Sequence, residues 1–426
     1  MNTTQFQEIA QGVKLLCINS KKFKTNCLLV DFYMPINERL AAQTVLASLM
    51  GHTSAAFGTF KAFNSKIDSL YGADFDTGIS TVGEKVRIRF SIELPDDRFS
   101  LDGKSLSAEA ADFIIDIIKH PHCADGKFDA EDTEREIRFT LENIEAEKND
   151  KRAYALSRLR QLMCADEPYG IDSEKLENDV KALDGAKLFE AYEDLLRSSH
   201  IAITACGSLN SEMLSEKFTA FAESIENRRP AELSTVFITK ADEVRYFTED
   251  MNVNQSKLVM GLRSGMGNSN DSYYAFRVMT DIFGGGPYSR LFLNVREKMS
   301  LCYYCGARLV RDKGVIFIQS GIEEKNYEKA LNEILHQLDI MKNGEFTDGD
   351  LNSSKTALSD AFRGVGDSPA SVCFYYGSQA FDDEIVSGTE FAEKISAVTR
   401  EQVIDCANRV SLDSVYLLKG ESGEDE

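Results

Sequence analysis

Arg296 and Tyr303 lie seven positions apart, across the junction between an expected helix end and an expected strand start. From such a junction both side chains can point into one cleft. A guanidinium and a phenol side by side are donors suited to a carbonyl oxygen that gains negative charge. A surface arginine beside a core tyrosine is the plainer alternative. Between and beyond them, Cys302-Tyr303-Tyr304-Cys305 forms a lone CxxC. One such pair is weak ground for zinc, and no thioredoxin-like βαβ pattern surrounds it. On a strand, positions three apart point to opposite faces, which opposes joint ligation.

The other candidates are fewer. His120-Pro121-His122-Cys123 is the one histidine cluster, set where a helix ends at a proline, and metal binding through His120 and His122 is a minor alternative. His52, His200 and His336 stand alone and read as structural. Glu131, Asp132, Glu134, Glu136, Glu142, Glu145 and Glu147 make an acidic helix, expected to be a solvated face. Gly284-Gly285-Gly286-Pro287-Tyr288-Ser289-Arg290 lacks both the Lys-Ser/Thr ending of a P-loop and the spacing of a dinucleotide fingerprint. It reads as a turn between helices, with glycine closing one and Ser289 capping the next. No Ser-His-Asp set, G-x-S-x-G elbow or H-E-x-x-H motif is present.

Periodicity supplies the elements that must position these groups. Strands are expected over 13–17, 26–34, 75–80, 85–93 and 200–206, with helices over 40–50, 65–71, 108–119, 130–149, 153–163 and 186–197. After the polar segment Glu226-Asn227-Arg228-Arg229-Pro230 the order repeats. Strands follow at 244–247, 257–262, 303–310, 315–322 and 415–418, with helices at 273–283, 290–299, 326–342, 348–363 and 399–410. The helix Lys66 to Tyr71 with its two strands parallels Arg296 to Leu301 with its two, and the helix–strand–Gly ending at Gly207 parallels the one ending at Gly420. The expected fold is α+β: two tandem similar domains, 1–228 and 229–426, each a mostly antiparallel sheet covered by helices. A tandem of like domains forms a clamshell whose cleft suits a peptide.

Composition sets bounds. The 426 residues carry 48 Lys plus Arg against 69 Asp plus Glu, a formal net charge of −21. That balance argues against nucleic acid as the main partner and disfavours anionic membranes, while leaving basic peptides open. Nine scattered cysteines point to reduced thiols in a cytoplasm rather than a secreted disulfide framework. The N-terminus lacks a basic region followed by an apolar run, and no apolar stretch approaches the length of a membrane span. The acidic tail 421–426 is expected to fray.

The run Gly284-Gly285-Gly286-Pro287-Tyr288-Ser289-Arg290-Leu291-Phe292, then Val295-Arg296-Glu297-Lys298, then Leu301-Cys302-Tyr303, resembles the second-domain signature of the insulinase (pitrilysin-like) peptidases. That family includes the mitochondrial processing peptidase. Within it the chain looks most like the bacterial YfmF-type proteins, which are associated with a zinc-bearing sister and with aminopentanol modification of elongation factor P. The resemblance implies an inverted zinc motif, H-x-x-E-H, on the first domain's early helix, with a further Glu on a later helix. Here the matching helix reads Thr44-Val45-Leu46-Ala47-Ser48, and Asn143 aligns with the third ligand. Glu136 matches another acidic position of that later helix. Thr44, Ala47, Ser48 and Asn143 cannot build a tetrahedral zinc site or supply its general base. The resemblance assigns Arg296 and Tyr303 to the substrate carbonyl. It implies a chain inactive alone: the metal-free subunit of a heterodimer whose zinc sits in the sister protein, acting on a peptide or protein substrate. A homodimer stays open when the chain is alone. The alternative is a non-enzymatic scaffold that binds a peptide or protein.

Overall fold

Residues 27–34 are apolar with one exception, Asp31, so a strand there needs cover on both faces. In the computed structural model, which describes residues 5–267 and 272–420, they form the middle of a six-stranded sheet. The acidic tail 421–426 lies outside the described residues. In chain order the first strands are β1 (Gln7–Ala10), β2 (Val13–Asn19), β3 (Thr25–Pro35), β4 (Asp74–Val82) and β5 (Lys85–Pro95). A small hairpin, β6 (Cys123–Ala124) and β7 (Lys127–Phe128), precedes β8 (His200–Gly207). The large sheet runs β1-β2-β8-β3-β5-β4, with β2 and β8 parallel and the other pairs antiparallel.

The second sheet is built from β9 (Arg245–Asp250), β10 (Ser256–Arg263), β11 (Cys302–Val310), β12 (Val315–Ile322) and β13 (Ser411–Lys419). Its order is β11-β12-β10-β13-β9, again with one parallel pair, β13 with β9. This is the order β4-β5-β3-β8-β2 of the first sheet, hairpin for hairpin. The expected duplication and α+β class are therefore borne out in topology, with β1 an extra edge strand.

The chain forms two compact units that exchange segments. The first comprises 1–144, 173–234 and 365–387; the second comprises 145–172, 235–364 and 388–426. The division expected after residue 228 falls near the change of unit at Ser234, but contiguous halves miss the exchange. Its cause is the two-sided burial of the central strands. Leu28, Val30, Phe32 and Met34 of β3 face the core shared with helices Leu40–Leu49 and Leu106–Lys119. Their alternates Cys27 and Leu29 face Val372 and Cys373 on helix Pro369–Gly377, which comes from the later half of the chain. In the second unit Val259, Phe317, Tyr416 and Leu418 pack against Ala155, Leu159 and Met163 of helix Lys151–Met163, from the earlier half. That helix lies so close that a Cβ on Gly261 would come 2.4 Å from the Met163 sulfur.

Buried charge anchors each exchanged segment. Asp31, fully buried, accepts two hydrogen bonds from Arg89 at 2.6 and 2.5 Å, and the guanidinium lies over the Phe374 ring at 4.6 Å. Arg263 bonds Glu167 at 2.7 Å and Asp413 at 2.7 Å, and Lys313 pairs with Glu167 at 2.5 Å. Pairing offsets part of the cost of burying these charges, and removing one partner strands the other. Among the described residues no helix is long and apolar enough to cross a membrane.

Candidate functional site

The first candidate lies on helix Leu40–Leu49. Burial there follows the helical period: Thr44 and Ser48, four apart, are the half-exposed positions of 41–50, and Ala47 is buried between them. Both hydroxyls are committed. Thr44 Oγ1 donates to the Leu40 carbonyl of its own helix at 2.8 Å. Ser48 Oγ donates to Glu136 Oε2 at 2.5 Å. At the place of the family's general base Ala47 offers only a methyl group.

Glu136 reaches this point from helix Ala130–Asn149. Its other oxygen meets His52 Nδ1 at 3.0 Å and Arg135 Nε at 3.0 Å. Arg135 also donates to Asp132 Oδ1 at 2.6 Å, and Asp132 Oδ2 takes Thr53 at 2.9 Å and His122 Nδ1 at 2.8 Å. Asp132 and Glu136 are thus buried, and of the acidic helix only the other members form the expected solvated face. Burial pushes the Glu136 carboxyl up, but bonds from His52, Ser48 and Arg135 outweigh it and hold its pKa below the ordinary value. Asp132 is likewise raised by burial and lowered further by His122, Arg135 and Thr53. A carboxylate held below its ordinary pKa, with both oxygens occupied, is a poor general base.

Zinc does not fit the H-x-x-E-H positions, whose side chains are two engaged hydroxyls and a methyl. Asn143, aligned with the third ligand, is exposed on the helix. The residue brought to Ser48 is Glu136, two turns earlier. His120 is exposed and pairs with Asp116 at 2.9 Å. His122, Asp129 and Asp132 do converge, with one ligand-type atom of each within 4.8 Å of the others. Asp129 Oδ1, however, accepts the Glu131 and Asp132 amides at the start of the helix, and Asp132 already faces Arg135. The trio serves as a helix lock.

The second candidate is in the other unit. The expected helix over 290–299 is present, and its residues Leu291–Lys298 wind as a π-helix, with the Met299 amide bonding the Asn294 carbonyl at 3.1 Å. Such wide turns recur at functional sites. The glycines before it permit close packing: a Cβ on Gly284 would lie 2.5 Å from the Ala307 backbone nitrogen. Ser289 Oγ accepts the Phe292 amide at 3.4 Å, as expected of a cap. Arg296 lies over the Phe292 ring at 4.5 Å and pairs with Glu297 at 2.9 Å, with its side chain 39% exposed. Tyr303 is 64% exposed. Neither is a core residue, and both present donors to solvent.

The exposure of Tyr303 has a local cause. Cys302 pairs with Ile322 and Tyr304 with Gly321, so Tyr303 is an extra residue, a β-bulge on edge strand β11. The bulge also corrects the expected geometry of the CxxC. With the phase shifted by one residue, Cys302 and Cys305 share a buried face.

Comparison with known proteins agrees with these features. Residues 182–358 match the family model described as "Peptidase M16 inactive domain". The chain is 26% identical over 416 residues, 97% of each protein, to "Probable inactive metalloprotease YmfF" of Bacillus subtilis (strain 168). A crystal structure of a conserved protein from Enterococcus faecalis V583 superposes with a TM-score of 0.91 at 27% identity, covering 99% of both chains. A peptidase M16 inactive domain from Pseudomonas fluorescens gives a TM-score of 0.80 over all of both chains, and at 17% identity shows the fold alone. The resemblance to insulinase-type peptidases is thereby borne out.

Proposed function

We propose, from the premise that this chain is an inactive M16 metalloprotease homologue, that it is the metal-free subunit of a heterodimeric zinc peptidase. The zinc-bearing sister would supply metal and general base in a bacterial cytoplasm. This chain would help hold an extended peptide, which can pair with a sheet edge. Arg296 and Tyr303 would orient the substrate carbonyl. The observation that carries the proposal is the contrast between the two candidate sites. The zinc positions hold Thr44, Ala47 and Ser48, with Ser48 spent on Glu136, while Arg296 and Tyr303 keep exposed donors. The association with elongation factor P modification rests on the resemblance.

Elemental mass spectrometry on the chain purified alone tests the metal half, with well below one zinc per chain expected. A stoichiometric zinc that survives dialysis would return a self-sufficient enzyme. Mixing with the zinc-bearing sister tests the rest. Arg296→Ala and Tyr303→Phe should each lower peptide cleavage by on the order of 10-fold or more. Unchanged cleavage would remove the substrate role of the pair. Tight peptide binding with no cleavage in the mixture would favour the scaffold instead.

A further inference from the structure

Cys302 and Cys305 open the edge strand of the second sheet, and the bulge at Tyr303 sets both on the buried side beside Ser320. Ser320 faces Cys305 directly in the register and donates to the Tyr304 carbonyl at 3.0 Å. Both cysteines are free thiols. We propose that Cys302 and Cys305 form a redox modification site, a dithiol that a low-molecular-weight disulfide such as glutathione disulfide converts to an intrachain disulfide.

Their surroundings distinguish the roles of the two sulfurs. A hydrogen bond from Cys305, opposed by burial and helped by Ser320 and the Arg296 charge, holds the Cys302 thiol below its ordinary pKa. Donating that bond, together with burial, holds Cys305 well above it. Cys302 is therefore the attacking thiolate. Its sulfur bonds to one glutathione sulfur and expels the other as a thiolate. Cys305 then gives up its proton, attacks the Cys302 sulfur of the mixed disulfide and expels the second glutathione thiolate. Two protein thiols are oxidised, one glutathione disulfide is reduced, and the two thiol protons end on the two released glutathiones. Access comes through the strand end: Cys302 is the first residue of β11, whose outer edge has no partner strand among the described residues, and such ends open at low cost. The closed ring would span Tyr303 and Tyr304 and pin the bulge that turns Tyr303 outward. The site does not depend on whether the chain partners a peptidase.

Trypsin releases Met299–Arg308, which holds both cysteines and no other. The folded full-length chain is equilibrated across a series of reduced-to-oxidised glutathione ratios, blocked with an alkylating agent and mapped without reduction. The expected result is an unalkylated Met299–Arg308 peptide, lighter by two hydrogens than the dithiol, at ratios that leave buried Cys164 and Cys406 reduced. Cys305→Ser should stop at a glutathione adduct on Cys302, and Cys302→Ser should show neither adduct nor ring. The proposal is overturned if the peptide stays doubly alkylated while half-buried Cys17 and Cys123 become glutathionylated. It is also overturned if the ring forms only after denaturation. Mapping of the unmutated chain decides between these outcomes even if a serine variant fails to fold.

Discussion

Replacing Glu136 with Gln keeps the size of the side chain and removes its charge. The carboxylate is 2% exposed and accepts from Ser48 at 2.5 Å, His52 at 3.0 Å and Arg135 at 3.0 Å. Hydrogen bonds to a charged acceptor contribute about 1.5–3 kcal/mol. The amide keeps one acceptor oxygen but turns an NH2 group toward donors, and Arg135 retains Asp132 at 2.6 Å. A net loss of about 2 kcal/mol follows, which for a cooperative unit of 150–250 residues lowers Tm by about 4–8 °C. The pH dependence has a fixed sign. The folded Glu136 pKa lies below the unfolded value, which is about 4.3. Its stabilisation is therefore complete above that value and is lost as pH falls through the folded pKa. Thermal unfolding followed by circular dichroism should show the full gap between wild type and Glu136→Gln at neutral pH and a narrowing gap below about pH 4. A variant that melts with wild type at neutral pH, or a gap that persists unchanged in acid, would refute this account of the site. Zinc content should be the same in both proteins; a difference would make Glu136 a ligand.

Arg89→Met should strand the buried Asp31 carboxylate and destabilise the first unit by about 3–5 kcal/mol in denaturant titrations, with faster hydrogen exchange in helix Pro369–Gly377; wild-type exchange there would show that the ion pair does not anchor the helix. Gly284→Ala forces a methyl group against the Ala307 backbone and should cost about 1–3 kcal/mol, without changing binding of inorganic phosphate, because the glycine run serves packing. Arg296→Ala and Tyr303→Phe alter exposed side chains and should each leave stability within about 0.5 kcal/mol of wild type, so that any loss of partnered cleavage reports on substrate; a large drop in Tm would assign them to the fold instead.

Much of the architecture was legible because the central strands and amphipathic helices carry strong local periods. The duplication was visible in two helix-and-strand pairings, and both reappear as matching sheet orders. Helix Pro369–Gly377 escaped notice because Pro-Ala-Ser-Val-Cys-Phe-Tyr-Tyr-Gly has no clean apolar stripe. Its start was nevertheless marked by Ser368, which accepts the Ser371 amide at 3.0 Å, and by the proline that follows. Helices Ser173–Lys181 and Gly388–Ala397 and the short strand β1 were also missed. At the site, the loss of zinc ligands was plain from residue types, but the partner of Ser48 was not. Glu136 stood in a row of acidic residues, and nothing in its neighbours distinguished the two carboxylates that turn inward.

Residue identity alone determined that Thr44, Ala47 and Ser48 cannot do the work of His, Glu and His, because ligand and base chemistry belong to the side chain itself. It likewise determined the elements with a clear period and their repetition. Tertiary structure decided which helix covers which sheet, since a strand apolar on both faces states that it needs cover and not where the cover comes from. It also decided the bulge at Tyr303. One extra residue in a ladder leaves no trace in composition, yet it reverses every face beyond it. That reversal exposes Tyr303 and brings Cys302 and Cys305 onto one side, because register is fixed by the neighbouring strand and not by the sequence of β11.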